Sequence, residues 1–156
     1  MRTRWMLGLV STLFVVATAH AQQPAAPAAG AEGYAWDKAC ATCHKAIHES
    51  WAASKHAKTW GRLSNDERQK DCAGCHLTGP KTAVTEGGPV LNANVQCESC
   101  HGPGKAHVEA ATAGNPIPAG LKKSPGESMC TPCHNDKSPH YRGFYFAAMK
   151  SLSHKK

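Results

Sequence analysis

The chain has 156 residues and a formal charge of +7, and beyond residue 21 its large aliphatic and phenylalanine side chains are five Leu, four Val, two Ile and two Phe. That is too little apolar bulk for an ordinary side-chain core, so composition excludes a conventional globular domain unless something other than side chains fills it. Eight cysteines are fewer than a disulfide scaffold of this size carries, and their arrangement says more than their number.

The chain begins with Arg2 and Arg4, runs apolar over residues 5–16, and reaches the small-x-small site Ala19-His20-Ala21. This order predicts a cleaved secretory signal over residues 1–21. The apolar run is well short of the roughly 18–20 residues that span a bilayer, so no stable membrane insertion is expected after cleavage. Residues 22–33, QQPAAPAAGAEG, are an Ala/Pro/Gly stretch without periodicity and read as a flexible tether. The functional domain is expected over residues 34–156.

That domain writes Cys-x-x-Cys-His four times: Cys40, Cys43 and His44; Cys72, Cys75 and His76; Cys97, Cys100 and His101; Cys130, Cys133 and His134. Every cysteine is used. The pattern is the attachment signature of c-type haem. On a turn of helix, residues i, i+3 and i+4 share one face, so two thiols meet the two haem vinyl groups while the adjacent imidazole reaches iron. Structural zinc could use paired Cys-x-x-Cys, but it gives no reason for a His after every second cysteine. Disulfide pairing alone explains the histidines no better. The cofactor expectation is four covalently attached haem c groups, whose flat apolar rings supply the missing interior at roughly 25 cal/mol per Å² removed from water.

Haem also changes the charge. Loss of Arg2 and Arg4 leaves +5, and two propionates against one net positive ferric centre remove about one further charge per haem. A nearly neutral or slightly acidic holoprotein gives no reason to expect nucleic acid as a partner. Lysines are expected to pair with propionates or to face a redox protein.

The remaining histidines of the mature chain, His48, His56, His107, His140 and His154, compete for the sixth coordination positions, since haem iron seeks a second axial ligand and imidazole is a good one. His48 lies one helical turn past His44, on the proximal side of its own haem, so surface placement suits it as well as ligation to a neighbour. His56 and His107 are the leading distal candidates, and His140 and His154 follow. Met129 and Met149 are weak ligand candidates, the latter within a stripe of Tyr141, Phe144, Tyr145 and Leu152 at helical spacing. Helices are predicted over residues 35–58, residues 65–75 with Ser64 and Glu67 as a capping box, residues 103–113 and residues 139–153. A short hairpin is placed around Val84 and Val90. The fold class is mainly α with extensive irregular structure, a small multihaem cytochrome c arrangement.

Three further strings, Trp51-x-x-Ser54-x-His56-Ala57, Cys75-His76-Leu77-Thr78-Gly79 and Cys97-Glu98-x-Cys100-His101-Gly102-Pro103-Gly104-x-x-His107, resemble the tetrahaem cytochrome c554 family. The resemblance covers most of the mature chain, from Cys40 to His134. It implies a periplasmic electron carrier with closely stacked haem pairs, in which His56 and His107 ligate haems other than their own. It also implies a five-coordinate haem on Cys72, Cys75 and His76. The chain departs from the family in being shorter and in having no histidine over residues 77–96, so that iron is open, served by His140 or His154, or completed by another subunit.

Electron transfer between a redox-protein donor and acceptor is the leading function, in the periplasm or outside the cell, since no other catalytic constellation is present. The alternatives are a redox enzyme acting on a small nitrogen species at an open iron, and a subunit of an extracellular haem filament.

Overall fold

The computed structural model describes residues 31–68, 71–80, 90–118 and 120–155. The signal, most of the tether and Val84 of the expected hairpin lie outside them. Seven short α-helices are described: α1 Trp36–Cys43, α2 Lys45–Ala53, α3 Asn65–Arg68, α4 Ala73–His76, α5 Cys97–His101, α6 Lys105–Thr112 and α7 Phe146–Met149. Single 3-10 turns follow α2 at His56–Lys58 and Trp60–Arg62, precede the fourth motif at Glu127–Met129, and extend α7 at Lys150–Leu152. Among the described residues there is no strand, only an isolated antiparallel bridge from Leu77 to Ala93. The fold is therefore mainly helical with much irregular chain, as composition and motif spacing predict.

The helices are shorter than their sequence patterns suggest, and the breaks at His44, Ser54 and Gly143 have local causes. The expected helix over residues 35–58 is interrupted at His44, whose φ of −110° and ψ of 44° leave the helical region, and it ends at Ser54, which is extended at φ −74° and ψ 167°. His56 consequently starts a 3-10 turn instead of continuing a helix. The segment 139–153 is helical only from Phe146, because Gly143 takes φ +91° and Tyr145 is extended at φ −121° and ψ 95°. Its aromatic stripe does not close over the described core, since Tyr145 is 73% and Leu152 72% exposed.

Two of the expected ends are found. The Ser64 amide donates to Glu67 Oε2 at 2.8 Å, and the Glu67 amide donates back to Ser64 Oγ at 3.4 Å, the reciprocal bonds of a capping box. Replacing Ser64 by Ala is expected to cost about 1 kcal/mol, read as a lower denaturant midpoint with an unchanged slope. At the other end of a helix, Gly114 at φ +69° lets the Asn115 amide reach back to the Ala110 carbonyl at 2.9 Å and stops α6.

The buried side-chain core is small. It consists of Trp60, Leu63, Ala73 and Leu77, with Cys72, Val90 and Ala93 packed against it, and the Arg68 guanidinium lies 5.2 Å over the Trp60 ring. Trp51 is buried on α2 and donates its indole N–H to the Val95 carbonyl at 2.9 Å. A buried polar network shapes the loop before the third motif. Thr78 Oγ1 donates to the Asn94 carbonyl at 2.7 Å and accepts from the Gln96 amide at 2.8 Å, while Gln96 Nε2 donates to the carbonyls of Leu91 and Ala93 at 2.7 and 2.9 Å. Because these bonds satisfy groups that water cannot reach, they fix where α5 begins.

Candidate haem-binding sites

Each Cys-x-x-Cys-His string occupies helical or turn backbone. Cys40 and Cys43 lie on α1 with His44 as its cap, Cys75 and His76 on α4, and Cys97 to His101 on α5. The fourth string is a tight turn in which the amides of Cys133 and His134 both donate to the Cys130 carbonyl, at 3.1 and 3.0 Å. In every case the two thiols and the imidazole are within one turn of chain, as attachment to a single macrocycle requires.

All eight thiols are free of disulfides, and six of them lie near a thiol of another motif. The Cys40 thiol donates to the Trp36 carbonyl at 3.5 Å, and the Cys97 thiol beside it, then burial, push Cys40 far above the ordinary thiol range. The same contact draws Cys97 down. Burial, with Cys75 alongside, pushes Cys133 up to about 12. Burial also raises Cys100, which faces Cys130. The first motif thus adjoins the third, and the fourth adjoins both the second and the third. Helix α1 correspondingly packs on α5. Among the described residues no three His, Cys, Asp or Glu side chains converge as a compact metal site would need.

The imidazoles form pairs. His44 faces His107 with ring centroids 6.3 Å apart and planes at 25°. His101 faces His154 at 6.1 Å and 27°, and His56 faces His134 at 6.1 Å and 72°. Two imidazoles bound on opposite sides of one metal by bonds of about 2 Å, with each ring centre about 1.1 Å behind its nitrogen, have centroids about 6.2 Å apart. The three spacings match that figure, and each pair joins a motif histidine to one outside any motif. These side chains fit haem iron held between two imidazoles.

Further contacts orient the rings. His76 Nδ1 donates to the Thr59 carbonyl at 2.8 Å, and His101 Nδ1 donates to the Lys122 carbonyl. Either bond engages Nδ1 and leaves Nε2 available to a metal, the usual arrangement of a ligating imidazole. Phe144 stacks on His134 at 4.6 Å. Burial, and then the neighbouring His134, holds the His56 imidazole below its usual pKa, which favours the neutral form that binds metal.

The remaining candidates are placed elsewhere. His48 Nε2 bonds Asp37 Oδ2 at 3.0 Å, while His140 is exposed in the turn after Ser138, whose Oγ accepts its amide at 3.4 Å. Met129 Sδ accepts from Lys122 Nζ at 3.2 Å. Among the described residues no second imidazole pairs with His76. Sequence reasoning passed over Glu98, which is 5% exposed and bonded to three backbone amides. An acidic residue inside a Cys-x-x-Cys-His string was the available signal.

Residues 39–102 match the family model described as cytochrome c554 and c-prime. Cytochrome c-554 of Nitrosomonas europaea is 30% identical over 130 residues, an alignment that takes in 62% of this chain and 55% of that protein's length. The structure of reduced cytochrome c554 from the same organism superposes with a TM-score of 0.55 at 24% identity, covering 83% of this chain and 84% of the other. The chain therefore spans little more than half of its curated relative's length, yet shares its fold.

Proposed function

We infer that this chain, which matches the cytochrome c554 family model over residues 39–102 and shares the fold of reduced cytochrome c554, binds c-type haem and is a tetrahaem electron carrier of the periplasm working between a protein donor and a protein acceptor. The observation that carries this reading is the set of three imidazole pairs at the spacing of doubly ligated iron. His44 and His107, His101 and His154, and His134 and His56 would hold three irons, and His76 would hold the fourth. When bound, haem supplies reversible one-electron storage at iron. The chain supplies thioether anchors, axial nitrogens and close approach. The closeness of first-motif to third-motif thiols, and of fourth-motif thiols to those of the second and third, would bring neighbouring rings near one another. Short hops need no acid, base or nucleophile. The predicted signal over residues 1–21 supports export, and no described helix is long and apolar enough to cross a membrane.

The test is intact mass combined with a redox titration followed by visible and electron paramagnetic resonance spectra. Expected are a mass shorter by the signal and heavier by four haems, reversible c-type bands, and three low-spin irons to one high-spin iron. The nearly perpendicular His56–His134 rings should give a low-spin signal distinct from those of the two nearly parallel pairs. A colourless product, or one that exchanges no electrons with soluble donors, would refute the assignment.

A second reading rests on His76, for which no partner imidazole is present among the described residues. A vacant position there would admit a small nitrogen species such as nitric oxide. Its mark is a spectral shift on adding nitric oxide that is confined to the high-spin component, and the absence of that shift rejects the reading.

A further inference from the structure

Glu98 sits between the two cysteines of the third motif, yet its carboxylate belongs structurally to the first. Oε1 accepts from the amides of Ala35 at 2.9 Å and Gly104 at 2.7 Å, and Oε2 accepts from the amide of Trp36 at 2.8 Å. Ala35 is near the right-handed helical region and Trp36 is left-handed at φ +66°, and successive residues of opposite hand aim their N–H groups into one concavity suited to an anion. Trp36 is a bulky residue in a conformation that side chains rarely adopt, and the carboxylate is the partner that this conformation serves. These two amides open α1 and have no acceptor within their own helix. The next one, from Asp37, donates to Gln96 Oε1 at 3.0 Å.

Gly104 is the residue immediately before α6, and a Cβ there would lie 3.2 Å from Glu98 Oε1. One carboxylate thus holds the start of α1, which delivers Cys40, Cys43 and His44, and the start of α6, which delivers His107. Those are the two helices whose imidazoles face each other at 6.3 Å.

We propose that Glu98 is the positioning residue of the His44–His107 axial pair: through the amides of Ala35, Trp36 and Gly104 it sets the separation at which two imidazoles can share one iron. This rests on the ligand assignment above. The carboxylate itself touches neither imidazole. Its effect is local to one of the three doubly ligated irons, although it lies on the helix that anchors a different haem.

The experiment compares the wild-type holoprotein with E98Q by intact mass and electron paramagnetic resonance. Glutamine keeps one acceptor oxygen, removes the charge and turns a donor toward amides that are themselves donors. E98Q is expected to carry all four haems and to lose about one third of its low-spin intensity, taken from one of the two nearly parallel pairs, while high-spin intensity about doubles. An unchanged spectrum overturns the proposal, and so does an equal loss from every low-spin signal. If E98Q yields no holoprotein, Gly104→Ala decides. Its Cβ crowds Oε1, so an altered signal from a single low-spin iron supports the role and an unaltered spectrum rejects it. A wild-type protein lacking the ratio of three low-spin irons to one high-spin iron overturns the ligand assignment itself, before any variant is compared.

Discussion

Replacing all eight cysteines by alanine is expected to leave a chain with coil-like circular dichroism and no cooperative thermal transition. The buried hydrophobic side chains of the described residues are only Ala31, Trp51, Trp60, Leu63, Ala73 and Leu77. No described helix exceeds the nine residues of α2, whereas isolated helices shorter than roughly 12–15 residues are marginal in water. Four large buried side chains and two alanines are too few to offset the conformational entropy of ordering more than a hundred residues. The large apolar rings must supply the difference. A native-like spectrum with a cooperative melt in the cysteine-free chain would show that the polypeptide folds alone.

The second large effect is expected at the axial pairs. His154→Ala should convert the iron on His101 from low to high spin, and His56→Ala and His107→Ala should do the same at His134 and His44. Each removes about one third of the low-spin signal and raises the potential of one haem, since an imidazole that stabilises ferric iron is lost. His140→Ala and His48→Ala serve as controls. His140 is exposed in a turn and His48 is engaged with Asp37, so neither should change the spin count. Low-spin loss in the His140 variant, or none in the His154 variant, would reassign the ligands.

Much of this site is legible in the sequence because its chemistry is written in local strings. Cys-x-x-Cys-His needs only one turn of chain, and His107 follows a Gly-Pro-Gly start that does open a helix at Lys105. Which of His140 and His154 lies beside a motif histidine was not legible. A helix over residues 139–153 would have presented both, but Gly143 at φ +91° breaks it, and the Lys155 amide is drawn 2.7 Å from Ser50 Oγ on α2, bringing His154 to His101. That contact joins residues 105 positions apart, and no local pattern encodes it. The same holds for Glu98, whose partners Ala35 and Trp36 lie 63 and 62 positions away.

The smallness of the side-chain core bears on how the protein is made. Thioether formation calls for reachable sulfurs, and a described core of Trp60, Leu63, Ala73 and Leu77 is too small to compact the chain before the rings arrive. Cofactor insertion therefore has to precede compaction, so the maturation machinery meets an open strand.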